Sequence, residues 1–151
     1  MKILLVGHGK MGRLVSELAP QYDCEVAGVV DPQSPAHSGG LDDPRWDAVD
    51  VAIDFTMPDA VMTNVPALAR RGINIVLGTT GWQAHEAALR QAVAEAGSGI
   101  VAAPNFSPGV VLFEAVAAEA ARALAAAPFP VASPRLAGPF AGALRVVGGA
   151  R

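Results

Sequence analysis

The stretch KILLVGHGKMGRL, residues 2–14, places three glycines directly after a mostly apolar run. Lys2–Val6 is typical of a buried β-strand, and Lys10–Ala19 has the pattern of a helix with Pro20 just beyond it. The glycines at positions 7, 9 and 12 therefore fall in the turn between a strand and a helix. In a Gly-x-Gly-x-x-Gly turn of this kind, the first glycine permits the bend and the second lets a pyrophosphate approach the backbone. The third lets the helix pack closely on the strand.

Two interpretations of this glycine loop are open, a phosphate-binding turn and a purely structural one. The helix that follows would present free N–H groups to phosphates, and Lys10 and Arg13 could add positive charge. A dinucleotide site also needs an acidic residue about 20 residues on, at the end of the second strand, and Asp31 stands there. Asp31-Pro32 is equally compatible with a simple turn.

The rest of the chain continues the alternation of apolar runs and helical stretches. Further strands are predicted at 25–30, 49–55, 73–77 and 100–103, and further helices at 58–71, 82–96 and 108–127. Residues 33–46 form a loop rich in Pro, Ser, Gly and Asp. The pattern predicts an α/β fold, a single Rossmann-like domain whose doubly wound parallel sheet carries helices on both faces.

The composition excludes several classes of protein. A chain of 151 residues that is 52% hydrophobic and 17% charged is globular, and its net charge of −3 does not favour nucleic acid or a membrane surface as partner. A single cysteine, Cys24, and no secretory signal favour the cytoplasm. The histidines are His8, His37 and His85; they lie outside any cluster of metal ligands, so no metal site is predicted. We interpret His8 as a solvent-exposed loop residue rather than a catalytic one.

Three more predicted strands end in polar or glycine-containing loops. These are DFTMPDA at 54–60, LGTTGW at 77–82 and APNFSPGV at 103–110. Taken singly, Thr56, Thr79, Thr80 and Ser107 are best explained as helix caps. Taken together, four such loops meet at the carboxyl edge of a parallel sheet, which is where ligands bind in this class of fold.

The set GHGKMGR, DFTMPDAV, LGTTGW and PNFSPGV, in this order and spacing, resembles the N-terminal domain of the 4-hydroxy-tetrahydrodipicolinate reductase (dihydrodipicolinate reductase) family. The resemblance covers about residues 2–127, so we expect a cofactor-binding domain at 1–127 and an irregular tail at 128–151. It implies NAD(P)H-dependent reduction of 4-hydroxy-tetrahydrodipicolinate to tetrahydrodipicolinate, an oxidoreductase step of lysine and diaminopimelate biosynthesis.

The resemblance also implies a set of cofactor-binding positions. They are Gly7, His8, Gly9, Lys10, Met11 and Gly12 at the pyrophosphate; Asp31 at the adenosine ribose; Phe55 and Thr56 at the nicotinamide; Gly78, Thr79 and Thr80 at its ribose and carboxamide; and Ala103, Pro104, Asn105 and Phe106 along the same wall. The resemblance implies NADH or NADPH as the cofactor. No arginine follows Asp31, whose carboxylate would repel a 2′-phosphate, so NADH is favoured unless Lys10 or Arg13 compensates.

The family's second domain binds the substrate through a His-His pair, a lysine and a Ser-Gly-Thr run, and none of these occurs here. The tail after residue 127 is dense in Pro, Gly, Ala and Arg, with a short strand possible at Leu144–Val147. It resembles either a frameshifted segment or a remnant of that domain. We therefore assign no catalytic residue and expect a truncated, cofactor-binding half that is inactive alone.

The family is homotetrameric through the missing domain, so the oligomeric state of this chain is left open. One alternative is a non-catalytic NAD(P)-binding module, or a subunit completed by another chain. A related aspartate- or homoserine-type dehydrogenase is a further alternative, which the combination of GTTG and NFS disfavours.

Overall fold

A computed structural model of the chain describes residues 1–37, 39–125 and 145–147. One sheet runs through these residues in the strand order β2-β1-β3-β4-β5-β6. Its strands are β1 Lys2–Val6, β2 Glu25–Val30, β3 Val51–Asp54, β4 Asn74–Leu77, β5 Ile100–Ala102 and β6 Arg145–Val147. The first five are parallel, and β6 pairs antiparallel with β5.

The helices are α1 Lys10–Leu18, α2 Pro58–Arg70, α3 Glu86–Glu95 and α4 Pro108–Ala125, with single 3-10 turns at Ala19–Tyr22, Pro35–His37, Pro44–Trp46 and Gln83–His85. Because β1 lies between β2 and β3, the chain moves outward in opposite directions from β1. This switch point opens a crevice at the carboxyl edge of the sheet. The predicted Rossmann-like α/β class is confirmed.

Alternate side chains of β1 enter two separate cores, as the two-residue period of a strand requires. Leu4 and Val6 pack in a large core with residues of α2 and α3, namely Val61, Val65, Leu68, Ala69, Leu89 and Val93. Ile3 and Leu5 pack on the opposite face with Ala19 and with the half-buried Val15 of α1. Helices therefore cover both faces of the sheet, as predicted.

The loop after β2 contributes to the core, which its polar composition did not predict. Trp46, in the 3-10 turn at Pro44–Trp46, is buried, and its Nε1 donates a 2.9 Å hydrogen bond to the carbonyl of Gly40. Its ring lies so close to the backbone of Gly28 in β2 that a Cβ there would come within 2.4 Å. A glycine in the strand makes room for the indole ring.

Several predicted boundaries differ from the structure by a few residues. The third strand begins at Val51 rather than at 49, because Val49 still hydrogen bonds back to Trp46 within its turn. The helix predicted from 82 starts as a 3-10 turn, and its α-helical part begins at Glu86. Gly72 and Gly97 follow α2 and α3 with φ of +74° and +68°, the left-handed conformation that ends helices.

Helix α4 exposes an apolar surface formed by Val111, Leu112, Phe113 and Val116, which are 45–69% exposed. No helix in the described part of the chain is long and apolar enough to span a bilayer. The short strand predicted at Leu144–Val147 is present as Arg145–Val147. Leu144, the end of the helix predicted to 127, and the remainder of the predicted tail lie outside the described residues.

Candidate functional site

The five parallel strands end along one edge of the sheet, and main-chain hydrogen bonds continue between the loops that follow them. Gly7 N–H donates to the carbonyl of Val30 at 2.8 Å, and Phe55 N–H donates to that of Val6 at 2.9 Å. Gly78 N–H donates to the carbonyl of Asp54 at 2.9 Å. Further along, Ala103 N–H donates to the carbonyl of Leu77 at 3.2 Å. The predicted site residues therefore share one connected rim.

At two of the three loop glycines, Gly7 and Gly12, the backbone packs so closely that there is no room for a side chain. Gly7 has a φ of +92°, and a Cβ on it would lie 2.5 Å from the Phe55 carbonyl oxygen. A Cβ on Gly12, in the first turn of α1, would lie 2.1 Å from the carbonyl oxygen of Gly7. Such distances are well below van der Waals contact, so both positions exclude any larger residue while the backbone keeps this shape. The tight turn and the close helix–strand packing are thus present.

Gly9 differs, because a Cβ built on it meets nothing within 4 Å. It is the N-cap of α1, and no side chain caps the helix there. The first N–H groups of a helix lack partners within the helix and carry a partial positive charge. Open space in front of such groups is what a bound phosphate needs.

Asp31 joins the end of β2 to the glycine loop. Its Oδ2 accepts a 2.8 Å hydrogen bond from the N–H of His8, and its Oδ1 accepts one of 2.9 Å from Gln33 N–H. The hydrogen bonds from Gln33 and then His8 hold the pKa of the Asp31 carboxyl below its usual value. The turn interpretation of Asp31 is confirmed, and its role at a ribose stays a prediction.

The imidazole of His8 is not a free surface group. It is half-buried, and its ring packs edge to face against that of His37, with the centroids 4.7 Å apart. Arg13 Nε donates to the His8 carbonyl at 3.1 Å, so this arginine supports the loop backbone. The interpretation of His8 as solvent-exposed is wrong, because the ring of His37, in the 3-10 turn at Pro35–His37, packs against it.

At the end of β3, the buried carboxylate of Asp54 organises the next two loops. It accepts hydrogen bonds from Thr56, Thr79 and Asn64 at 2.6–3.0 Å. The hydroxyls of Thr56 and Thr79 are therefore directed to this carboxylate, and the N-cap of α2 is Met57, without a side-chain cap. The helix-cap interpretation of these two threonines is wrong.

The end of β4 packs on the end of β3. The Phe55 ring lies against Gly78, where a Cβ would come within 2.1 Å of a ring carbon. Thr79 is 7% exposed, and its carbonyl accepts a 2.7 Å hydrogen bond from Nε1 of the buried Trp82. Thr80, the next residue, is exposed. Phe55, Thr56, Gly78 and Thr79 thus form one contiguous surface.

The residues after β5 complete the rim. Ala103 is buried, whereas Pro104, Asn105 and Phe106 are exposed. Asn105 Oδ1 accepts a 2.7 Å hydrogen bond from Ser107 N–H, which shapes the turn before α4. The carbonyl of Ser107 accepts hydrogen bonds from the N–H groups of Val110 and Val111 at 3.1 and 3.2 Å as that helix begins. Lys10 and Met11 are likewise exposed at the start of α1.

Sequence reasoning missed Asp54 and Trp82 as residues that shape the site. Asp54 carries a signal that could have revealed it, since a carboxylate inside an otherwise apolar strand must find partners when buried. Trp82 carries no comparable signal, because its partner is a main-chain carbonyl three residues earlier.

The family described as "Dihydrodipicolinate reductase, N-terminus" matches residues 1–106 of this chain. The chain belongs to the dihydrodipicolinate reductase family. Among relatives named 4-hydroxy-tetrahydrodipicolinate reductase, that of Christiangramia forsetii is 34% identical over 113 residues, which are 75% of this chain and 45% of the relative. That of Cutibacterium acnes is 38% identical over 128 residues, 81% of this chain and 48% of the relative. This reductase-family chain spans about half the length of these relatives.

Two solved structures share the fold. The reductase-family chain is similar to a dipicolinate-bound dihydrodipicolinate reductase from Paenisporosarcina sp. TG-14, with a TM-score of 0.62 and 22% identity over 80% of this chain and 53% of that one. A variant of meso-dapdh from Clostridium tetani E88 gives a TM-score of 0.55 and 17% identity, over 80% of this chain and 41% of that one. At these identities the likeness concerns the fold alone.

Proposed function

We propose that this chain binds a nicotinamide dinucleotide along the carboxyl edge of its sheet, as the cofactor-binding part of a 4-hydroxy-tetrahydrodipicolinate reductase. The observation that carries the proposal is the contrast between the loop glycines. Gly7 and Gly12 are closed against backbone atoms, and Gly9 opens onto free space at the uncapped start of α1. Only the middle position leaves room for a pyrophosphate to reach the main chain.

The adenosine half would lie towards β2. Each carboxylate oxygen of Asp31 already accepts one main-chain hydrogen bond, and a carboxylate oxygen can accept a second. The ribose hydroxyls of a dinucleotide are suitable donors for it. An aspartate carboxylate is charged near neutral pH, and the lowered pKa of Asp31 keeps it charged at more acidic pH too, so it repels a 2′-phosphate. We therefore propose NADH as the preferred cofactor.

The nicotinamide half would lie over the surface formed by Phe55, Thr56, Gly78 and Thr79. The contact of the Phe55 ring with Gly78 and the hydrogen bonds of the two threonines hold these groups in place without a ligand. A rigid surface of this kind limits the orientations of the ring. The exposed residues Thr80, Asn105 and Phe106 are then available to the ribose and carboxamide.

A bound dihydronicotinamide supplies the hydride in this class of reaction. Reduction also requires groups that hold the two carboxylates of the substrate and a group that donates a proton. The family's His-His, lysine and Ser-Gly-Thr elements do not occur in the 151 residues. We therefore propose that this chain alone binds the dinucleotide without turning over the substrate.

Titration with NADH, followed by nicotinamide fluorescence, tests the cofactor assignment. We expect saturable binding, weaker binding of NADPH, and competition by ADP-ribose. Gly9→Ala is the matched variant, because its Cβ enters the open space and meets no neighbour within 4 Å. Gly40→Ala, in the loop after β2, is a control glycine with no Cβ contact closer than 3.9 Å. Absence of saturation up to millimolar NADH in the wild-type chain would contradict the proposal.

A further inference from the structure

Asp54 is fully buried at the last position of β3, and its carboxylate accepts four hydrogen bonds. Its Oδ1 accepts from the Thr56 N–H at 2.9 Å, the Thr56 hydroxyl at 2.6 Å and the Thr79 hydroxyl at 3.0 Å. Its Oδ2 accepts from the Asn64 amide at 3.0 Å. One carboxylate thus connects the loop after β3, the loop after β4 and helix α2.

The bonds around this carboxylate specify the geometry of the two loops. The Thr56 N–H also lies 2.9 Å from the Thr79 hydroxyl oxygen, so it points between that oxygen and Asp54. The main-chain carbonyl of Asp54 accepts from Gly78 N–H at 2.9 Å. Asp54 therefore holds the β4 loop through both its side chain and its backbone.

A stabilising role alone explains this arrangement poorly. Burying a charged group costs free energy that even good hydrogen bonds only partly offset, and apolar residues often serve stability better. The groups held by Asp54 are not scattered through the core. Thr56, Gly78 and Thr79 belong to the surface to which the proposed function assigns the nicotinamide ring.

We propose that Asp54 is a positioning residue, which sets the distance between the Thr56 and Thr79 loops and so shapes the nicotinamide half of the site. The inference rests on the proposed function. It adds that affinity for the nicotinamide half depends on this carboxylate, whereas affinity for the adenosine half does not. Asp31 and the glycine loop, which would hold the adenosine half, are hydrogen bonded to one another and to β2, and none of these bonds involves the Asp54 carboxylate.

The test compares two ligands that share the adenosine half. NADH contains the nicotinamide ring, and ADP-ribose lacks it. In Asp54→Ala we expect NADH affinity to fall by about tenfold or more, as for the loss of one or two hydrogen bonds. ADP-ribose affinity should stay within about threefold of wild type, a change of less than 1 kcal/mol. The change in nicotinamide fluorescence on binding should also decrease, since the ring is no longer held in one orientation.

Matched variants separate positioning from folding. Asp50→Ala removes another β3-side aspartate, whose Oδ2 accepts from Lys2 N–H at the opposite edge of the sheet, and should leave both affinities unchanged. Asp54→Asn keeps the shape and one acceptor oxygen, and it should restore much of the NADH affinity. If Asp54→Ala does not fold, Asn64→Ala provides the same comparison, because it removes the partner of Oδ2 from the half-buried face of α2.

Four results would overturn the inference. An equal loss for NADH and ADP-ribose would show that Asp54 supports only the fold, and unchanged NADH affinity in a folded variant would show that it has no influence on the site. The inference would also be contradicted if the wild-type chain bound NADH no more tightly than ADP-ribose, which lacks the nicotinamide ring. A wild-type chain that binds neither ligand refutes the proposed function itself, and the inference with it.

Discussion

The main-chain N–H of His8 donates a 2.8 Å hydrogen bond to the carboxylate of Asp31, 23 residues further along the chain. This bond joins the glycine loop after β1 to the end of β2. It holds the backbone that would face a pyrophosphate and the carboxylate that would face a ribose in one rigid unit. The acidic residue that the sequence places about 20 residues after the glycine loop is thus in direct contact with that loop.

Protonation of Asp31 should weaken this unit at acidic pH. Its folded-state pKa lies below the usual value of 3.8, because the Gln33 and His8 N–H groups stabilise the charged form. The stabilisation is therefore complete above the unfolded value and is lost as pH falls through the folded one. Urea unfolding of wild type and Asp31→Asn should show a difference that is constant from pH 7 to 5 and shrinks below about pH 4. A difference that does not change with pH would contradict this assignment.

Alanine at Gly12 should mainly lower stability, whereas alanine at Gly9 should mainly lower NADH affinity. Gly12→Ala places a Cβ 2.1 Å from the Gly7 carbonyl oxygen, so we expect a loss of about 1–3 kcal/mol in the free energy of unfolding. Gly9→Ala meets no neighbour and should cost about 1 kcal/mol or less. NADH affinity should nevertheless fall about tenfold in Gly9→Ala, because the methyl group occupies the path of the pyrophosphate. Full NADH affinity in Gly9→Ala would place the phosphates elsewhere.

Replacing Trp82 by Phe should affect both stability and binding. A smaller aromatic ring remains, and the buried carbonyl of Thr79 loses its 2.7 Å partner, at a cost of about 1–3 kcal/mol. Because Thr79 belongs to the proposed nicotinamide surface, NADH affinity should decrease as well. Trp46→Phe is the control, since it loses a similar 2.9 Å hydrogen bond to Gly40 away from that surface. Calorimetry and NADH titration of both variants distinguish a local effect from a general one.

Two leucines test where the core lies. Leu68 of α2 is fully buried, and Leu68→Ala should lower the free energy of unfolding by about 2–5 kcal/mol. Leu112 of α4 is 69% exposed, and Leu112→Ala should change the free energy of unfolding by about 0.5 kcal/mol or less. Urea unfolding followed by tryptophan fluorescence measures both. A large loss for Leu112→Ala would mean that another surface covers α4 in solution.

Much of the architecture was predictable from local patterns. Each of the five parallel strands is a short, mostly apolar run, and glycines mark the ends of α2 and α3 at residues 72 and 97. Strand ends were less predictable, as at Val49, where a turn around Trp46 delays the start of β3. A strand begins where its backbone can pair with a neighbouring strand. That position depends on both segments, so one segment's own pattern does not predict it.

The candidate site was predicted as a set of loops but not as a network. Three of the motifs place Gly7, Thr56 and Thr79 at strand ends. The spacing from the glycine loop places Asp31 at another, and parallel strands bring these ends to one edge. The threonines looked like helix caps, since capping is the commonest local use of such residues. Their actual partner, Asp54, reaches Thr79 from 25 residues away, and no local rule indicates a contact over that separation.

The order of strands and helices, the edge at which the four loops meet and the positions of the loop glycines followed from the sequence, because they depend on periodicity and on residues with special backbone freedom. Only the tertiary structure decided that Gly9 faces open space, that His8 packs on His37, and that Asp54 holds two loops together. These relationships depend on distances between segments far apart in the chain, which packing alone establishes.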